Sequence, residues 1–328
     1  MGYILFYVIN PINILFGEGS DPSEDCPECM ADFALYDPDY EDDGVWEEET
    51  KALKAMFDNY GWSYQVIDHT DINEGILGKD SSRKFRALIA PGGYAYYRKK
   101  AVNDDGDKKI KNFIKSGGNY VGFCAGSYWV TDTVKFATYA TVENGLYYQS
   151  SDYDSYDYDL NILKATSKGP FGWTPWNNGT GASYQEAAID LSNPTMLAIG
   201  MPSQTRFFYY GGPYFCKFTE TPKKYEVWAR AIAPPGTPEG STMGDDKPTI
   251  IHFKYEKGHV ILFSYHPEIL IDSFTDHVVL NDYIREVTMT WDTGDQTQEQ
   301  INFYSWNIVH ASLQIAAEEE VTPLTSLP

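Results

Sequence analysis

Residues 118–129 read Gly-Asn-Tyr-Val-Gly-Phe-Cys-Ala-Gly-Ser-Tyr-Trp, and this segment sets the architecture that we expect for the chain. The apolar run Tyr120–Phe123 predicts a strand that leads directly into Cys124. Gly122 and Gly126 stand two residues on either side of the cysteine. This spacing is typical of a sharp turn from strand to helix, where larger residues do not fit beside the turn. A sulfur at the start of a helix is favoured as the thiolate, which is its nucleophilic form.

Strand and helix patterns alternate on the amino-terminal side of this turn. Short apolar runs predict strands, and apolar residues three or four positions apart predict helices. The predicted strands are Tyr3–Val8, Ser63–Ile67, Phe85–Ala90 and Tyr120–Phe123, and the predicted helices are Glu47–Tyr60 and Lys108–Lys115. This alternation favours parallel pairing with right-handed crossovers. We therefore expect an α/β fold with an open, mostly parallel sheet flanked by helices.

The pattern changes after Thr138 to short strands and aromatic, glycine-rich loops. The Tyr, Ser and Asp run Tyr147–Tyr158 is predicted to be an exposed loop. Further strands are predicted at Val227–Ile232, Thr249–Tyr255 and His259–Tyr265, the last two joined as a hairpin through Glu256–Gly258, and a helix is predicted at Gln298–Ala317. We expect residues 1–270 to form one domain and residues 271–328 to form a helical extension packed on it.

The second candidate motif is Tyr265-His266-Pro267-Glu268, which follows a predicted strand. A cysteine nucleophile needs a base, and the unperturbed pKa of histidine lies near neutrality. A carboxylate two residues away can orient the imidazole. Taken alone, the motif is more often a histidine at a strand end and a surface glutamate.

The third candidate motif is Ala90-Pro91-Gly92-Gly93, also at the end of a predicted strand. A Gly-Gly turn can direct backbone N–H groups at a developing oxyanion, although a plain turn is an equally good interpretation. In a parallel sheet all three motifs fall at the carboxyl ends of strands, where functional sites gather. Their convergence favours a real site.

The order of these motifs resembles the class I glutamine amidotransferase superfamily, whose fold is flavodoxin-like. We call the predicted turn at Gly122–Gly126 the elbow. Together with Ser127-Tyr128, it is most similar to the amidotransferase-like domain at the N-terminus of fungal biotin-protein ligases and to stand-alone relatives. Gly169-Pro170-Phe171-Gly172-Trp173 and Tyr210-Gly211-Gly212-Pro213-Tyr214-Phe215 also fit that group. The resemblance covers about residues 1–270, and the residues after Glu268 are too few for a ligase catalytic domain.

The resemblance implies that Cys124 is the nucleophile, His266 the base and Glu268 its orienter. It also implies an oxyanion hole and a substrate pocket. The hole would be formed by the N–H groups of Gly93 and Ala125, and we expect the pocket to be lined by Gly92, Ser127, Tyr128 and Trp173. Glutaminases of this type usually carry a glutamine shortly after the elbow, where this chain has Ser127-Tyr128-Trp129. Free glutamine is therefore not expected to be a good substrate.

Composition excludes several classes of function. The net charge of −22 argues against nucleic acid as a partner, because binding a phosphate backbone needs clustered cations. No segment reaches the roughly 20 apolar residues that span a bilayer. Met1–Phe16 has no basic region of the signal-peptide type, so a soluble, cytoplasmic protein is slightly favoured over a mature secreted chain.

No cofactor and no metal site are expected. Cys26-Pro-Glu-Cys29 has metal or redox spacing, but no second pair or nearby histidine completes a zinc site. Two free thiols in an acidic loop are favoured over a local disulfide, which stays open as an alternative.

Two functional hypotheses remain. The first is an enzyme that cleaves the C–N bond of a small-molecule amide, or a related acyl bond, through a thioester on Cys124. The second is a catalytically silent binding module that uses its acidic, tyrosine-rich surface for self-assembly into a homo-oligomer. The complete triad favours the enzyme, and the replaced glutamine favours the silent module.

Overall fold

A computed structural model describes most of the chain. The described residues are 26, 29–38, 44–137, 140–143, 146–149, 153–157, 160–171, 182–218, 225–237, 244–270 and 295–327. The helices are α1 (Glu47–Tyr60), α2 (His69–Glu74), α3 (Ala95–Ala101), α4 (Asp104–Lys115), α5 (Ala125–Trp129), α6 (Pro194–Ala198) and α7 (Gln298–Ala316).

The strands fall into a larger and two smaller sheets. Those of the larger sheet are β1 (Ala31–Tyr36), β2 (Tyr64–Ile67), β3 (Phe85–Ala90), β4 (Asn119–Phe123), β10 (Ala182–Ile189), β11 (Gln204–Tyr210), β13 (Tyr225–Ala231), β14 (Pro248–Tyr255) and β15 (Gly258–Phe263). Those of the smaller sheets are β5 (Thr131–Ala137), β6 (Ala140–Glu143), β7 (Leu146–Gln149), β8 (Tyr153–Asp157), β9 (Leu163–Gly169) and β12 (Tyr214–Cys216).

The nine strands of the larger sheet run in the order β11-β10-β13-β14-β15-β4-β3-β1-β2. Strands β2, β1, β3, β4 and β15 pair in parallel. The pairings from β15 through β14, β13 and β10 to β11 are antiparallel. The prediction of an α/β fold with an open sheet and additional antiparallel strands is confirmed. The parallel half brings the carboxyl ends of β3, β4 and β15 to one edge of the sheet.

Helix boundaries follow from local chemistry. Helix α1 buries Leu53, Met56 and Phe57, and it ends where Gly61 adopts a left-handed conformation with a φ of 78°. Helix α4 begins at Asn103, whose side chain accepts hydrogen bonds from the backbone of the first turn. The helix predicted at Lys108–Lys115 therefore corresponds to the last two thirds of α4.

The two faces of the parallel strands pack against different helices. Val121 and Phe123 lie in one apolar cluster with residues of α1 and α7. Tyr120 and Leu262 lie in a second cluster with residues of α4. This alternation places a layer of helices on each side of the sheet, as expected for successive residues of a strand. Helix α7 therefore packs on the same sheet that carries the three motifs.

Strand β1 was not predicted, and the sequence shows why. Asp32 interrupts the apolar run in a strongly acidic region, so the pattern did not indicate a core strand. In the structure its carboxylate lies at the start of the strand and accepts hydrogen bonds from the backbone N–H and hydroxyl of Ser63. It also pairs with Arg86 at 3.3 Å. The strand predicted at Tyr3–Val8 lies outside the described residues.

The prediction of a loop over Tyr147–Tyr158 was wrong in part. Strand β7 pairs with β6, and strand β8 pairs antiparallel with β5 of the four-stranded sheet β12-β9-β5-β8. Tyrosine has a high preference for strands, and here backbone pairing outweighs the polar composition of the segment.

Replacement of Ile308 by alanine tests the packing of α7 on the sheet. Ile308 is fully buried in the same cluster as Phe123. Removing most of its side chain should therefore lower the free energy of unfolding by about 2–5 kcal/mol. Leu197→Ala, at a side chain that is 60% exposed, should change it by no more than about 0.5 kcal/mol. Urea titration of the two variants measures the difference. Equal changes in the free energy of unfolding in the two variants would contradict the role of α7 in the core.

Candidate functional site

Cys124 occupies a strained turn between β4 and α5. Its φ of 44° and ψ of −101° are uncommon for a residue with a side chain. A Cβ atom on Gly126 would lie 2.1 Å from the carbonyl oxygen of Ala90, so no larger residue fits there. The predicted sharp turn from strand to helix is therefore present, with the glycine on its helical side required by close backbone packing.

Hydrogen bonds fasten this elbow to the neighbouring strand. The N–H of Cys124 donates to the carbonyl of Phe263 at 2.8 Å. The hydroxyl of Ser127 lies 2.8 Å from the carbonyls of both Phe263 and Gly122. Because Ser127 is fully buried and directed into the elbow, it supports the turn rather than lining a pocket.

His266 follows β15 and is 1% exposed. Its backbone N–H donates to the carbonyl of Phe208 at 2.7 Å, which fixes the segment against β11. The Nδ1 atom lies 2.9 Å from Oε1 of Glu268, itself fully buried. The structure thus joins the two residues of the His-Pro-Glu motif as the sequence predicted. The indole N–H of Trp306, on α7, donates to the backbone carbonyl of Glu268 at 3.0 Å.

A second carboxylate, not predicted from the sequence, contacts the same imidazole. Glu49 lies in the first turn of α1, is fully buried, and places Oε2 3.1 Å from Nδ1 of His266. The run Glu47–Glu49 was indistinguishable from the acidic first turn that many helices carry. Helical spacing could have indicated that Glu49 lies on the buried face of α1, because it precedes the buried residues Leu53 and Met56 by four and seven positions.

Gly92 lies where the groups of the site meet. A Cβ atom there would lie 2.3 Å from Oε2 of Glu49, 2.6 Å from Cε1 of His266 and 3.3 Å from Cβ of Cys124. The three side chains therefore surround a position that only glycine can occupy. Cys124 and His266 both lie next to this position.

The Gly92-Gly93 peptide has a fixed orientation. The Gly92 carbonyl accepts hydrogen bonds from the backbone N–H of Trp46 at 3.2 Å and from Nη2 of Arg98 at 2.7 Å. Because a trans peptide is planar, its N–H, which belongs to Gly93, points away from these donors. Gly93 has a φ of 124°, and a Cβ atom there would lie 1.9 Å from the carbonyl oxygen of Gly44.

The surroundings of His266 and Glu268 raise the pKa values of both. Burial by itself would lower the pKa of His266, but the negative charges of Glu49, Cys124 and Glu268 raise it well above its usual value. Burial and the charge of Glu49 raise the pKa of Glu268. The negative charges of the cluster therefore stabilise the imidazolium that forms when His266 takes up a proton.

Oxygen and nitrogen atoms of Glu49, His266 and Glu268 lie within 4.8 Å of one another, and this is the only grouping of three potential metal ligands found among the described residues. Their contacts to Nδ1 are ordinary hydrogen-bond distances. Hydrogen bonding accounts for the arrangement, and we do not assign a metal to it.

Aromatic rings form one wall of the site. The indole ring of Trp46 meets the imidazole of His266 edge to face at 5.0 Å, and it lies 5.6 Å from the ring of Tyr210. The thiol of Cys124 lies 3.5 Å from the Tyr210 carbonyl. Tyr128 donates its hydroxyl to the Gly211 carbonyl at 3.0 Å. Trp173, also predicted to line the pocket, lies outside the described residues.

Cys26 and Cys29 form a disulfide, so the favoured prediction of two free thiols was wrong. The carbonyl of Cys26 accepts a hydrogen bond from the N–H of Cys29, a turn that brings the sulfurs together. Cys124 and Cys216 are the free cysteines.

Comparison with known proteins identifies the family. The model of the family described as "Biotin-protein ligase, N terminal" matches residues 40–327. The chain belongs to this family. A biotin–protein ligase of Schizosaccharomyces pombe is 27% identical over 190 residues, which cover 55% of this chain and 25% of that protein. This member of the family therefore spans about a quarter of the length of the curated relative that it matches.

Solved structures with an overall likeness include glutamine amidotransferases. One from Thermotoga maritima is 14% identical, with a TM-score of 0.44, and the match covers 88% of this chain and 97% of that one. The Trypanosoma brucei CTPS glutaminase domain with bound acivicin is 10% identical, with a TM-score of 0.48, and the match covers 91% and 98%.

Within the described residues of this family member, no helix is long and apolar enough to cross a membrane.

Limited alkylation tests the reactivity of the Cys124 thiol, which lies beside His266. We expect iodoacetamide to label Cys124 before Cys216, because burial raises the pKa of the Cys216 thiol and so lowers its thiolate fraction. Cys26 and Cys29 should stay unlabelled without reductant, because they are joined. Peptide mapping after a short treatment with iodoacetamide shows the order in which the cysteines are labelled. Faster labelling of Cys216 than of Cys124 would contradict the prediction that Cys124 is the more reactive thiol.

Gly92→Ala tests the crowding of the site without changing any charged group. The added methyl would displace the side chains of Glu49 and His266, so alkylation of Cys124 should slow by about tenfold or more. Leu197→Ala, at a side chain that is 60% exposed, is the control. Unchanged alkylation in Gly92→Ala, with the fold intact by circular dichroism, would show that His266 does not assist the thiol.

Proposed function

We propose that this chain is a cysteine-dependent amidohydrolase of the amidotransferase-like type. His266 takes the proton of the Cys124 thiol, and the thiolate attacks the carbonyl carbon of an amide. The C–N bond then breaks as His266 returns the proton to the leaving nitrogen, leaving a thioester on Cys124. Water, deprotonated by His266, hydrolyses the thioester and restores the thiol.

The observation that carries this proposal is a strained cysteine beside an oriented imidazole. A residue with a side chain held at a φ of 44° costs stability, and such strain is concentrated at functional sites. The carboxylate of Glu268 at 2.9 Å fixes the Nδ1–H tautomer, so Nε2 is the basic nitrogen. Among the described residues, Nε2 has no hydrogen-bond partner, which suits an atom that accepts the thiol proton.

The backbone supports an oxyanion site next to this pair. The N–H of Gly93 is directed by the two donors on the other end of its peptide. The N–H of Ala125 belongs to the first turn of α5, directly after the nucleophile. We assign these two groups to the developing negative charge on the substrate oxygen, a role worth several kcal/mol in comparable sites.

The aromatic wall points to the class of substrate. Trp46 is partly exposed next to the imidazole, and Tyr210 is 36% exposed. Neither ring carries a charge that could form an ion pair with the α-amino or α-carboxylate group of a free amino acid. A larger amide or ester with an apolar acyl group fits such a surface better.

A catalytically silent binding module is the second candidate. Cys124 is only 5% exposed, and its thiol faces the Tyr210 carbonyl. A site closed in this way could bind a partner at its rim without admitting a substrate to the sulfur.

Intact-mass spectrometry separates the two candidates. The protein is exposed to a panel of amides and activated esters of increasing apolar size, together with a glutamine-analogue alkylator. The hydrolase predicts a covalent adduct that is lost in Cys124→Ala and kept in Cys216→Ala. The absence of any Cys124-dependent adduct across the panel would favour the silent module.

Free glutamine should be a poor substrate. Productive positioning of its side-chain amide requires groups that hold the amino and carboxylate ends, and such positioning supplies a large part of an enzyme's rate. Ammonia release is compared between the wild-type protein and Cys124→Ala. Cys124-dependent turnover of about 1 per second or faster would show that our interpretation of the altered elbow is wrong.

A further inference from the structure

Glu49 is the least expected group in the site, because its charge is fully removed from water. Burying a carboxylate without compensation costs several kcal/mol. Its Oε2 atom has two partners, the Nδ1 of His266 at 3.1 Å and the backbone N–H of Gly92 at 2.5 Å. Its Oε1 atom has no hydrogen-bond partner among the described residues. A single oxygen therefore carries the interactions of this buried charge.

The two carboxylates at Nδ1 differ in origin. Glu268 is two residues from His266 and can orient the ring through local geometry. Glu49 comes from α1, far away in the sequence, and reaches the ring across the sheet edge. An Nδ1–H group can make a single strong hydrogen bond, so the second carboxylate acts mainly through its charge.

Glu49 also connects His266 to the Gly92-Gly93 turn. Its hydrogen bond to the Gly92 N–H holds one side of that turn. On the other side the guanidinium of Arg98, also fully buried, holds the Gly92 carbonyl at 2.7 Å. The turn that bears the Gly93 N–H is thus fixed between an anion and a cation.

We propose that Glu49 is a second positioning residue of the site, which stabilises the protonated imidazole of His266 and holds the Gly92-Gly93 turn in register with it. The assignment to catalysis rests on the proposed function, whereas the effect on the imidazole does not. Because Glu49 belongs to α1, the proposal makes the proton affinity of His266 depend on the docking of that helix.

The charges around His266 come from three elements. Glu49 belongs to α1, Cys124 to the elbow after β4, and Glu268 to the segment that follows β15. The rings of Trp46 and Phe208 also contact the imidazole, and they carry no charge. Removal of the Glu49 charge therefore leaves two acidic groups near the ring instead of three.

Imidazole NMR of the full chain tests the proposal directly. The His266 signal is identified by its loss in His266→Asn, and its protonation is followed from pH 5 to 10. Glu49→Gln removes a negative charge but keeps an oxygen that can accept from Gly92. The imidazolium should then lose its proton at lower pH, with the midpoint shifted down by at least about one unit, a tenfold fall in proton affinity.

Two further variants control for folding and for specificity. Glu49→Asp keeps the charge at a greater distance and should give a midpoint between those of the wild type and Glu49→Gln. Glu226 is a matched carboxylate that contacts Nδ1 of a different histidine, His252, at 3.2 Å. Glu226→Gln should therefore leave the His266 midpoint unchanged.

The same samples are treated with the acyl substrate or alkylator that gives a Cys124 adduct. Glu49→Gln should slow adduct formation by about tenfold or more, as expected for a misplaced base. A His266 midpoint that is the same in Glu49→Gln and in the wild type would overturn the proposal. If the midpoint shifts but no protein forms an adduct, the proposed hydrolase is wrong and the role of Glu49 stands. If Glu49→Gln does not fold, Glu49→Asp decides, and an unchanged midpoint in it overturns the proposal.

Discussion

Parallel pairing of β4 with β15 is the interaction on which the site depends. Phe123 pairs with Phe263, the last residues of the two strands. The ladder then continues by one hydrogen bond, from the Cys124 N–H to the Phe263 carbonyl at 2.8 Å. This bond holds the elbow beside the chain that leads to His266. Parallel strands necessarily end at the same edge, so residues more than 140 positions apart in sequence become neighbours.

The antiparallel half of the sheet contributes a different constraint. Strand β11 supplies the Phe208 carbonyl that holds His266 and the Tyr210 carbonyl that faces the thiol. Trp46, just before α1, stacks against the same strand through Phe208. The aromatic wall is therefore built where the antiparallel strands meet the parallel edge.

Buried charge is the main cost of this arrangement. Two carboxylates and a guanidinium lie within the protein around the Gly92-Gly93 turn, and each is fully buried. Charged groups that are buried are kept at a cost in stability unless they are paired and hydrogen-bonded. Here they fix a backbone turn and an imidazole ring in one orientation. That preorganisation would serve the proposed nucleophile and oxyanion site, and a packed apolar core would not supply it.

Much of the frame could be predicted from local pattern. The strand Phe85–Ala90 and the hairpin formed by β14 and β15 lie where the apolar runs placed them. The elbow around Cys124 and the contact between His266 and Glu268 were also accessible, because each is a short-range feature. Strand β1 was missed, because Asp32 makes its favourable contacts with Ser63 and Arg86, which are distant in sequence.

The sequence by itself determined the residue types of the site, the α/β alternation and the family of this protein. Tertiary structure alone decided that Glu49 reaches His266, that Ser127 faces the backbone, and that Arg98 supports the Gly92 carbonyl. The physical reason is the range of the interactions. Periodicity and turn chemistry act over a few residues, and these are visible in the order of the amino acids. The partner of a buried charge is set by which helix packs over which strand edge, and that requires the whole fold.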